Sequence, residues 1–435
     1  MVKVITYGSY DHLHQGHINL LKRAKELGDF LIVGVTSENF DIMRGKINTD
    51  QSLIERMKAV EDLGIADLVI PEEYEGQKID DIKKYGVDIF AIGSDWTGYF
   101  DYLKEFCTVT YLPRTEGISS TMLRSKNQIK IGIAGSDKSM LKLKRESMFV
   151  NGCQINDIYL TEDVDFDLAG LNKVNSFNEL MNNNDAIYLS CRTSEKFDYI
   201  MTCLNNNKHV IVDSPIADTK EKAELIYKTA KEKNLKVFDS LKTAYALAFE
   251  RLILLVKAGK IGQVTSIDAT CTSLEMYEWL KESKFMTSFI AWGPFGLLPV
   301  FKILGFDYTS YHFDTIDSPD MKDIFTKLTL RYPNAVANIN VGVGVKSESD
   351  LRISGTKGYI YVPSPWWKTD YFELRFENAQ DNKRYFYKLD GEGIRMELVE
   401  FIHSILKNKA NFNMDEALSI AISNMIEKYN SNINN

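Results

Sequence analysis

The chain has 435 residues, 44% of them hydrophobic and 26% charged, which is the composition of ordinary globular domains and enough length for two or three. A formal net charge of -8 argues against nonspecific nucleic-acid binding as the main task, since that needs a basic face, but a local basic pocket for a small phosphate is compatible with it. The five cysteines (Cys107, Cys153, Cys191, Cys203 and Cys271) are scattered and form no CxxC pair, which argues against a zinc site or a disulfide framework and for reduced thiols.

Met1-Val2-Lys3-Val4-Ile5 runs directly into a strand without an apolar leader. No uncharged apolar run approaches the roughly 18 residues of a membrane span. A cytoplasmic protein without a membrane span is expected.

In chain order, residues 2–7 read as a short apolar strand, 17–28 as a helix and 30–36 as a second apolar strand. The alternation continues through a helix at 52–63, a strand at 67–70, a helix at 79–85 and strands at 88–92 and 108–112. Strands and helices alternating at this spacing predict a parallel sheet covered on both faces. The polar stretch Arg124-Ser125-Lys126-Asn127-Gln128 is the best linker.

The pattern restarts at 129–135, with further strands near 156–160, 186–190, 209–213 and 236–239 and a strong helix at 219–233. From about 264 the segments turn β-rich, at 264–273, 325–331, 335–343, 350–354, 358–362, 371–376 and 384–388, before helices near 393–407 and 414–430. The fold class is therefore α/β. A Rossmann-like domain at 1–128 precedes a second doubly wound Rossmann domain at 129–240 and a C-terminal α+β domain at 241–435 with a large, mostly antiparallel open sheet.

Chemistry concentrates after the first strand, in Gly8-Ser9-Tyr10-Asp11-His12-Leu13-His14-Gln15-Gly16-His17. The loop leads into a helix, whose N-terminal amides and dipole favour an anion. His14 and His17 there can donate to phosphate oxygens as charge develops in a transition state. Two surface histidines on a turn are the plain alternative, but half of the chain's six histidines fall within these few residues. A second run, Arg114-Thr115-Glu116-Gly117-Ile118-Ser119-Ser120-Thr121, also lies between a strand and a short helix. Taken alone, it reads equally as a phosphate loop or as a capping box beside a surface arginine.

Together the two runs resemble the GTFDxxHxGH and RTxGISTT loops of the nucleotidyltransferase superfamily, in its glycerol-3-phosphate cytidylyltransferase branch. The resemblance covers nearly all of residues 1–124, including Asp41-Ile42-Met43-Arg44-Gly45-Lys46, Glu55-Arg56, Gly76-Gln77-Lys78 and Gly93-Ser94-Asp95-Trp96. It implies transfer of a cytidylyl group from CTP to a polyol phosphate, giving a CDP-polyol (CDP-glycerol or CDP-alditol) and pyrophosphate. It also implies that His14, His17, Lys46 and Arg114 are catalytic. The nucleotide would lie on Tyr7, Gly8, Ser9, Tyr10, Asp11, Gly16, Asp95, Trp96, Arg114, Thr115, Ile118, Ser119, Ser120 and Thr121. Arg44, Lys46, Arg56 and Lys78 would face the acceptor phosphate. Mg²⁺ is expected as counter-charge to the triphosphate, although no dedicated metal cage is visible and Asp11 alone is a candidate ligand, a weak one. The chain departs from the pattern at Ser9, which keeps the hydroxyl, and at Arg44, which keeps the charge but not the shape of the usual lysine.

Residues 129–430 resemble the Gfo/Idh/MocA oxidoreductases through Asn207-Lys208-His209-Val210-Ile211-Val212-Asp213-Ser214-Pro215, Ala258-Gly259-Lys260-Ile261-Gly262-Gln263-Val264 and Ser354-Gly355-Thr356-Lys357-Gly358. That resemblance implies NAD(P)H as cofactor and an open sheet buried between subunits, hence a homo-oligomer. The residues argue against ordinary redox chemistry. Only Gly135 keeps a fingerprint glycine position, with Asp137 and Met140 at the other two. Ser214 replaces the lysine of the EKP motif, and Phe295 and Leu298 fall where a histidine and an aspartate belong. Lys242 and Tyr245 are conceivable replacements, and the isolated His209, His312 and His403 suit structural roles. Two readings stay open: a reductase supplying an alditol phosphate to the first domain, or a former oxidoreductase kept for assembly or recognition.

Overall fold

A computed structural model describes the chain except residues 12, 38–50, 75, 114–127, 275–286, 320, 321, 388, 409, 434 and 435 and the side chains of 95 and 390. The predicted loop residues Arg44, Lys46, Arg114, Thr115, Ile118, Ser119, Ser120 and Thr121, and the side chain of Asp95, lie outside the described residues. Met1–Gln128 with Phe149–Gly152 make one compact unit, and Ile129–Met148 with Cys153–Asn435 make the other.

In the first unit β1 (Lys3–Gly8), β2 (Phe30–Thr36), β3 (Leu68–Glu72), β4 (Ile89–Gly93) and β5 (Thr108–Leu112) form a parallel sheet in the order β3-β2-β1-β4-β5. Alternate residues feed two cores, one per face. Val4, Leu31 and Val33 pack with Leu21 of α1 (Gln15–Lys25) and Val60 of α2 (Leu53–Asp62). Ile5, Ile32 and Phe90 pack with Ile82 of α3 (Gln77–Tyr85) on the other face. Local chemistry sets the helix ends. Ser52 and Glu55 form a reciprocal capping box at α2, and Lys22, Arg23 and Lys25 in the last turn of α1 complement its dipole. The order reverses between β1 and β4, so the carboxyl ends of these strands flank the crevice where such sheets bind ligands.

The second unit opens with another parallel sheet, in the order β11-β10-β9-β6-β7-β8. Its strands are β6 (Ile129–Gly135), β7 (Cys153–Tyr159), β8 (Asn172–Lys173), β9 (Ala186–Ser190), β10 (His209–Asp213) and β11 (Val237–Ser240). Between and after them come α4 (Met140–Ser147), α5 (Phe177–Asn183), α6 (Thr193–Asn205), α7 (Lys220–Glu232) and α8 (Leu247–Lys257). The unit continues into an eight-stranded sheet ordered β13-β14-β15-β12-β16-β17-β18-β19. These strands are β12 (Val264–Ser273), β13 (Ser310–Ile316), β14 (Phe325–Arg331), β15 (Val336–Val343), β16 (Leu351–Gly355), β17 (Tyr359–Val362), β18 (Tyr371–Arg375) and β19 (Lys383–Phe386). The pairing is antiparallel except between β12 and β15, which run parallel. The helices of this part are α9 (Ser288–Leu304), α10 (Ile394–Leu406) and α11 (Glu416–Ile433).

The register separates the two faces of the large sheet. Ile267, Ala337, Leu328, Ile353 and Ile360 are buried on one face, where Ile339 comes so close to Gly296 of α9 that a Cβ there would be 2.3 Å from it. The other face is polar. Thr329 donates to Asn338 (3.2 Å), Asn338 donates to Asp268 (2.9 Å), and the Arg375 guanidinium lies 4.7 Å from the Tyr361 ring. The side chains that alternate with the core on these strands are hydrogen-bonded polar groups that water tolerates. Among the described residues no helix is long and apolar enough to cross a membrane.

Candidate active site

β1 ends at Tyr7-Gly8, and the chain then turns at Tyr10, whose φ of 50° is in the left-handed region that a non-glycine residue rarely adopts. The turn folds the Tyr10 ring back over Gly8, where a Cβ would stand 3.0 Å from it, so a larger residue there would have to push the ring aside. Four residues after Tyr10, His14 is the N-cap of α1. Its Nδ1 accepts the Gly16 N–H at 3.1 Å, which puts the proton of the neutral ring on Nε2. The His17 ring stacks on that of His14 with centroids 3.9 Å apart and planes 21° apart, and meets Tyr10 edge-on at 5.4 Å. Asp11 is buried and its carboxylate accepts the Gln51 N–H at 3.1 Å. The sequence-predicted Tyr7, Gly8, Ser9, Tyr10, Asp11, His14, Gly16 and His17 are thus one continuous turn from a strand end to a helix start. Trp96 lies beyond the end of β4, in a short helical turn, with Tyr99 and Phe100 at 5.4 and 5.7 Å.

Two of the cations grouped by sequence with the acceptor phosphate have partners inside the protein. Arg56 is wholly buried; its Nη1 donates to the carbonyls of Ser9 and Thr36, both at 2.7 Å, and its Nε to that of Gln51 at 3.0 Å. Lys78 is buried against the carboxylate of Glu72, and its ammonium lies 4.4 Å from the centre of the Tyr7 ring. Glu72 also accepts from Thr36 Oγ1 at 3.0 Å. Asp81 accepts from the Tyr7 hydroxyl at 2.9 Å and from Gln77 at 3.0 Å. Burial, reinforced by Asp81, holds the Tyr7 hydroxyl un-ionised, with its pKa far above the ordinary value. Thr36, Glu72 and Asp81 were not singled out from sequence; the available signal was a glutamate closing the otherwise uncharged strand Leu68–Glu72.

At the start of the second unit the turn after β6 is occupied by the protein's own side chains. Asp137 Oδ1 accepts the Ser139 N–H at 2.6 Å, and Met140 is buried with its Sδ 2.8 Å from where a Gly135 Cβ would be. Ser190 donates to Asp213 at 2.6 Å, and Tyr188 donates to the same carboxylate. Tyr245 is buried and its hydroxyl accepts from Asn411 at 2.8 Å, while the Lys242 ammonium pairs with Glu392. Leu298 is buried inside α9, and the Phe295 ring packs at 5.3 Å from that of Trp292. His209 Nδ1 accepts the Lys236 N–H at 2.9 Å, and burial with the nearby Lys236 charge pushes its pKa down to about 4.

Comparison with known proteins accounts for both units. Residues 5–126 match the family described as cytidylyltransferase-like, and residues 153–240 match the oxidoreductase family with an NAD-binding Rossmann fold. A glycerol-3-phosphate cytidylyltransferase of Bacillus spizizenii is 49% identical over 124 residues, 28% of this chain and 95% of its own. That of Staphylococcus aureus is 48% identical over 126 residues, 29% of this chain and 95% of its own. Among solved structures, a 3-ketoreductase from Actinomadura kijaniata in complex with NADP and TDP-benzene superposes with a TM-score of 0.59 at 13% identity, over 69% of this chain and 96% of its own. At that identity the likeness concerns the fold. The chain is a nucleotidyltransferase joined to an oxidoreductase-like part, and through its first unit it belongs to the cytidylyltransferase-like family.

Proposed function

We propose that the first unit transfers the cytidylyl group of CTP to an open-chain polyol phosphate, glycerol 3-phosphate or a longer alditol phosphate, and releases pyrophosphate. The observation that carries this reading is the stacked His14–His17 pair at the start of α1, beside the carboxyl end of β1. An oxygen of the acceptor phosphate attacks the α-phosphorus of CTP in line. The bond from that phosphorus to the bridging oxygen breaks, and the electron pair leaves with pyrophosphate. No covalent enzyme intermediate is needed, so positioning and charge stabilisation carry the rate. With Nδ1 committed to Gly16, His14 presents an Nε2–H donor to the phosphate oxygens. His17, Lys46 and Arg114 complete the set that meets the triphosphate, with Trp96 beside the base and Arg44 and Lys46 on the acceptor phosphate.

Mg²⁺ is expected as counter-charge to the triphosphate, with no step assigned to it; among the described residues no group of His, Cys, Asp or Glu is arranged to hold a metal ion. The second unit keeps the frame of an oxidoreductase, but its first turn does not fit a dinucleotide pyrophosphate: Asp137 already occupies a helix-start amide and Met140 fills the space over Gly135. The reading for this unit is therefore a diverged oxidoreductase with a binding or assembly role. A NAD(P)H-dependent reductase feeding the alditol phosphate to the first unit is the rival, supported by the joining of the two units in one chain.

Pyrophosphate release measured with each nucleoside triphosphate and a panel of polyol phosphates tests the proposal. Turnover is expected with CTP and a polyol phosphate, and is expected to drop about a hundredfold or more in His14→Ala or His17→Ala. Equal rates with ATP, or acceptance of aldose 1-phosphates alone, would overturn it.

A further inference from the structure

Three lysine side chains of the second unit, far apart in sequence, converge on one carboxylate. Lys142 of α4 approaches Glu392 at 3.4 Å and Lys368 approaches it at 3.1 Å, while Lys242, just after β11, is in direct contact. Three ammonium groups thus share one carboxylate. Among the described residues, the neighbouring Glu146 is engaged by Arg395 at 2.6 Å and Arg145 at 3.4 Å, and Glu397, which also feels the Lys242 charge, is pushed up to about 8 by burial and so carries little charge near neutral pH. A surplus of positive charge at this spacing is costly unless an anion answers it. Burial lowers the pKa of the Lys242 ammonium, and Lys142 and Lys368 push it the same way against the pull of Glu392.

The carboxylate is held there by an unusual backbone. Gly391, Glu392 and Gly393 have φ of 69°, 54° and 91°, so a glutamate sits in the left-handed region between two glycines. A Cβ on Gly393 would lie 2.1 Å from the Lys242 carbonyl oxygen, which shows how tightly this turn is pressed onto the lysine segment. The cluster is also reachable: the side chains of Lys142, Lys368, Glu392 and Lys242 keep 41%, 39%, 26% and 22% of their exposure.

We propose that Lys142, Lys242 and Lys368 form a binding site for the phosphoryl group of a small phosphate monoester, and that the Glu392 carboxylate occupies it when the ligand is absent. A dianionic phosphoryl group has the charge to match the surplus and enough oxygens for three ammonium donors. The site is independent of cytidylyl transfer and does not require a dinucleotide.

Calorimetric titration of the full chain with fructose 6-phosphate, inorganic phosphate and uncharged fructose tests it. Both phosphate probes are expected to bind and fructose is not. Glu392→Gln removes the internal competitor and is expected to tighten the phosphate probes about threefold or more. Lys368→Met and the Lys242→Met/Lys368→Met pair are expected to weaken them about tenfold or more. Melting curves establish that each variant is folded, and the conservative Glu392→Gln reports even if the double variant is not. Unchanged affinity in Lys368→Met and Glu392→Gln, or no phosphate binding by wild type and Glu392→Gln, would overturn the assignment.

Discussion

The guanidinium of Arg56 donates to the carbonyl of Ser9 at 2.7 Å, across 47 positions of sequence. A cation that sequence places among the phosphate contacts is thereby tied to the loop that carries the histidines, and the same nitrogen reaches Thr36 at the end of β2. Arg56→Lys loses the planar fork and most of these bonds. The expected result is a fall in kcat of about tenfold or more, with KM for the polyol phosphate changing by less than about threefold, because the loop is displaced while the acceptor contacts are kept. Steady-state kinetics with both substrates checks this. A rise in acceptor KM at unchanged kcat would instead place Arg56 on the acceptor.

Glu72 and Lys78 form a buried ion pair beneath the Tyr7 ring. Breaking such a pair leaves one group charged and uncompensated, at a cost of about 3 kcal/mol or more. Glu72→Gln is expected to destabilise the first unit by about that amount, and Glu72→Gln/Lys78→Met by clearly less, because the double change removes the orphaned ammonium. Denaturant melts of the three proteins measure the coupling. Additive losses would mean that the pair is not the relevant contact.

Much of this was legible in the sequence because it was periodic or local. The boundaries of β5, β6, β9, β10, β12 and β14 coincide with the apolar segments predicted for them. The strand at Ser310–Ile316 was not predicted: it is an edge strand on which Phe313 alone is buried, so it carries almost no apolar alternation. The helix at Ser288–Leu304 contains Pro294 and Pro299 and is buried on nearly all sides, so it shows breakers and no amphipathic stripe. At the site, the loop from Tyr7 to His17 was readable as a motif. Its supports were not, since Arg56, Glu72 and Asp81 act through contacts 36 to 74 positions away in sequence.

Glu397 gives the second unit a marked pH response. It is buried on α10, accepts from Ser240 at 2.9 Å, and is pushed up to about 8 by burial, with Asp213 and Asp239 adding to the effect and Ser240 and Lys242 opposing it. A carboxyl raised in the folded state contributes stability that is complete below its unfolded pKa of about 4.3 and is lost as pH rises through the folded value. Wild-type stability is therefore expected to fall between about pH 4.5 and 8 from this group. Glu397→Gln keeps an acceptor for Ser240 and has no charge to form. It is expected to melt several degrees above wild type at pH 8.5 and to show no gain at pH 4.5, where both are neutral. A gain of equal size at both pH values would assign the effect to packing instead.

Asp137 decides whether the second unit can hold a dinucleotide in the usual way. In a doubly wound sheet the pyrophosphate approaches the turn after the first strand and is met by amides at the start of the following helix. Here the Asp137 carboxylate takes the Ser139 amide at 2.6 Å and carries the same sign of charge as the ligand, and Met140 fills the space over Gly135. Fluorescence titration of the wild-type chain with NADH and NADPH is expected to show no micromolar binding. Asp137→Gly frees the amide and removes the charge, so it is expected to tighten either cofactor by about tenfold, the scale of one strong charge contact. Even then no oxidation of NAD(P)H is expected with dihydroxyacetone phosphate or fructose 6-phosphate. Carbonyl reduction needs a proton donor beside the hydride, and Ser214, Phe295 and Leu298 stand where donors would be needed, with Leu298 buried in α9. Tyr245 is buried and hydrogen-bonded to Asn411, and Lys242 is paired with Glu392, so neither is poised to replace them. Micromolar binding with turnover by the wild-type chain would restore the two-step reading, in which the second unit reduces a keto-sugar phosphate to the alditol phosphate that the first unit joins to CTP.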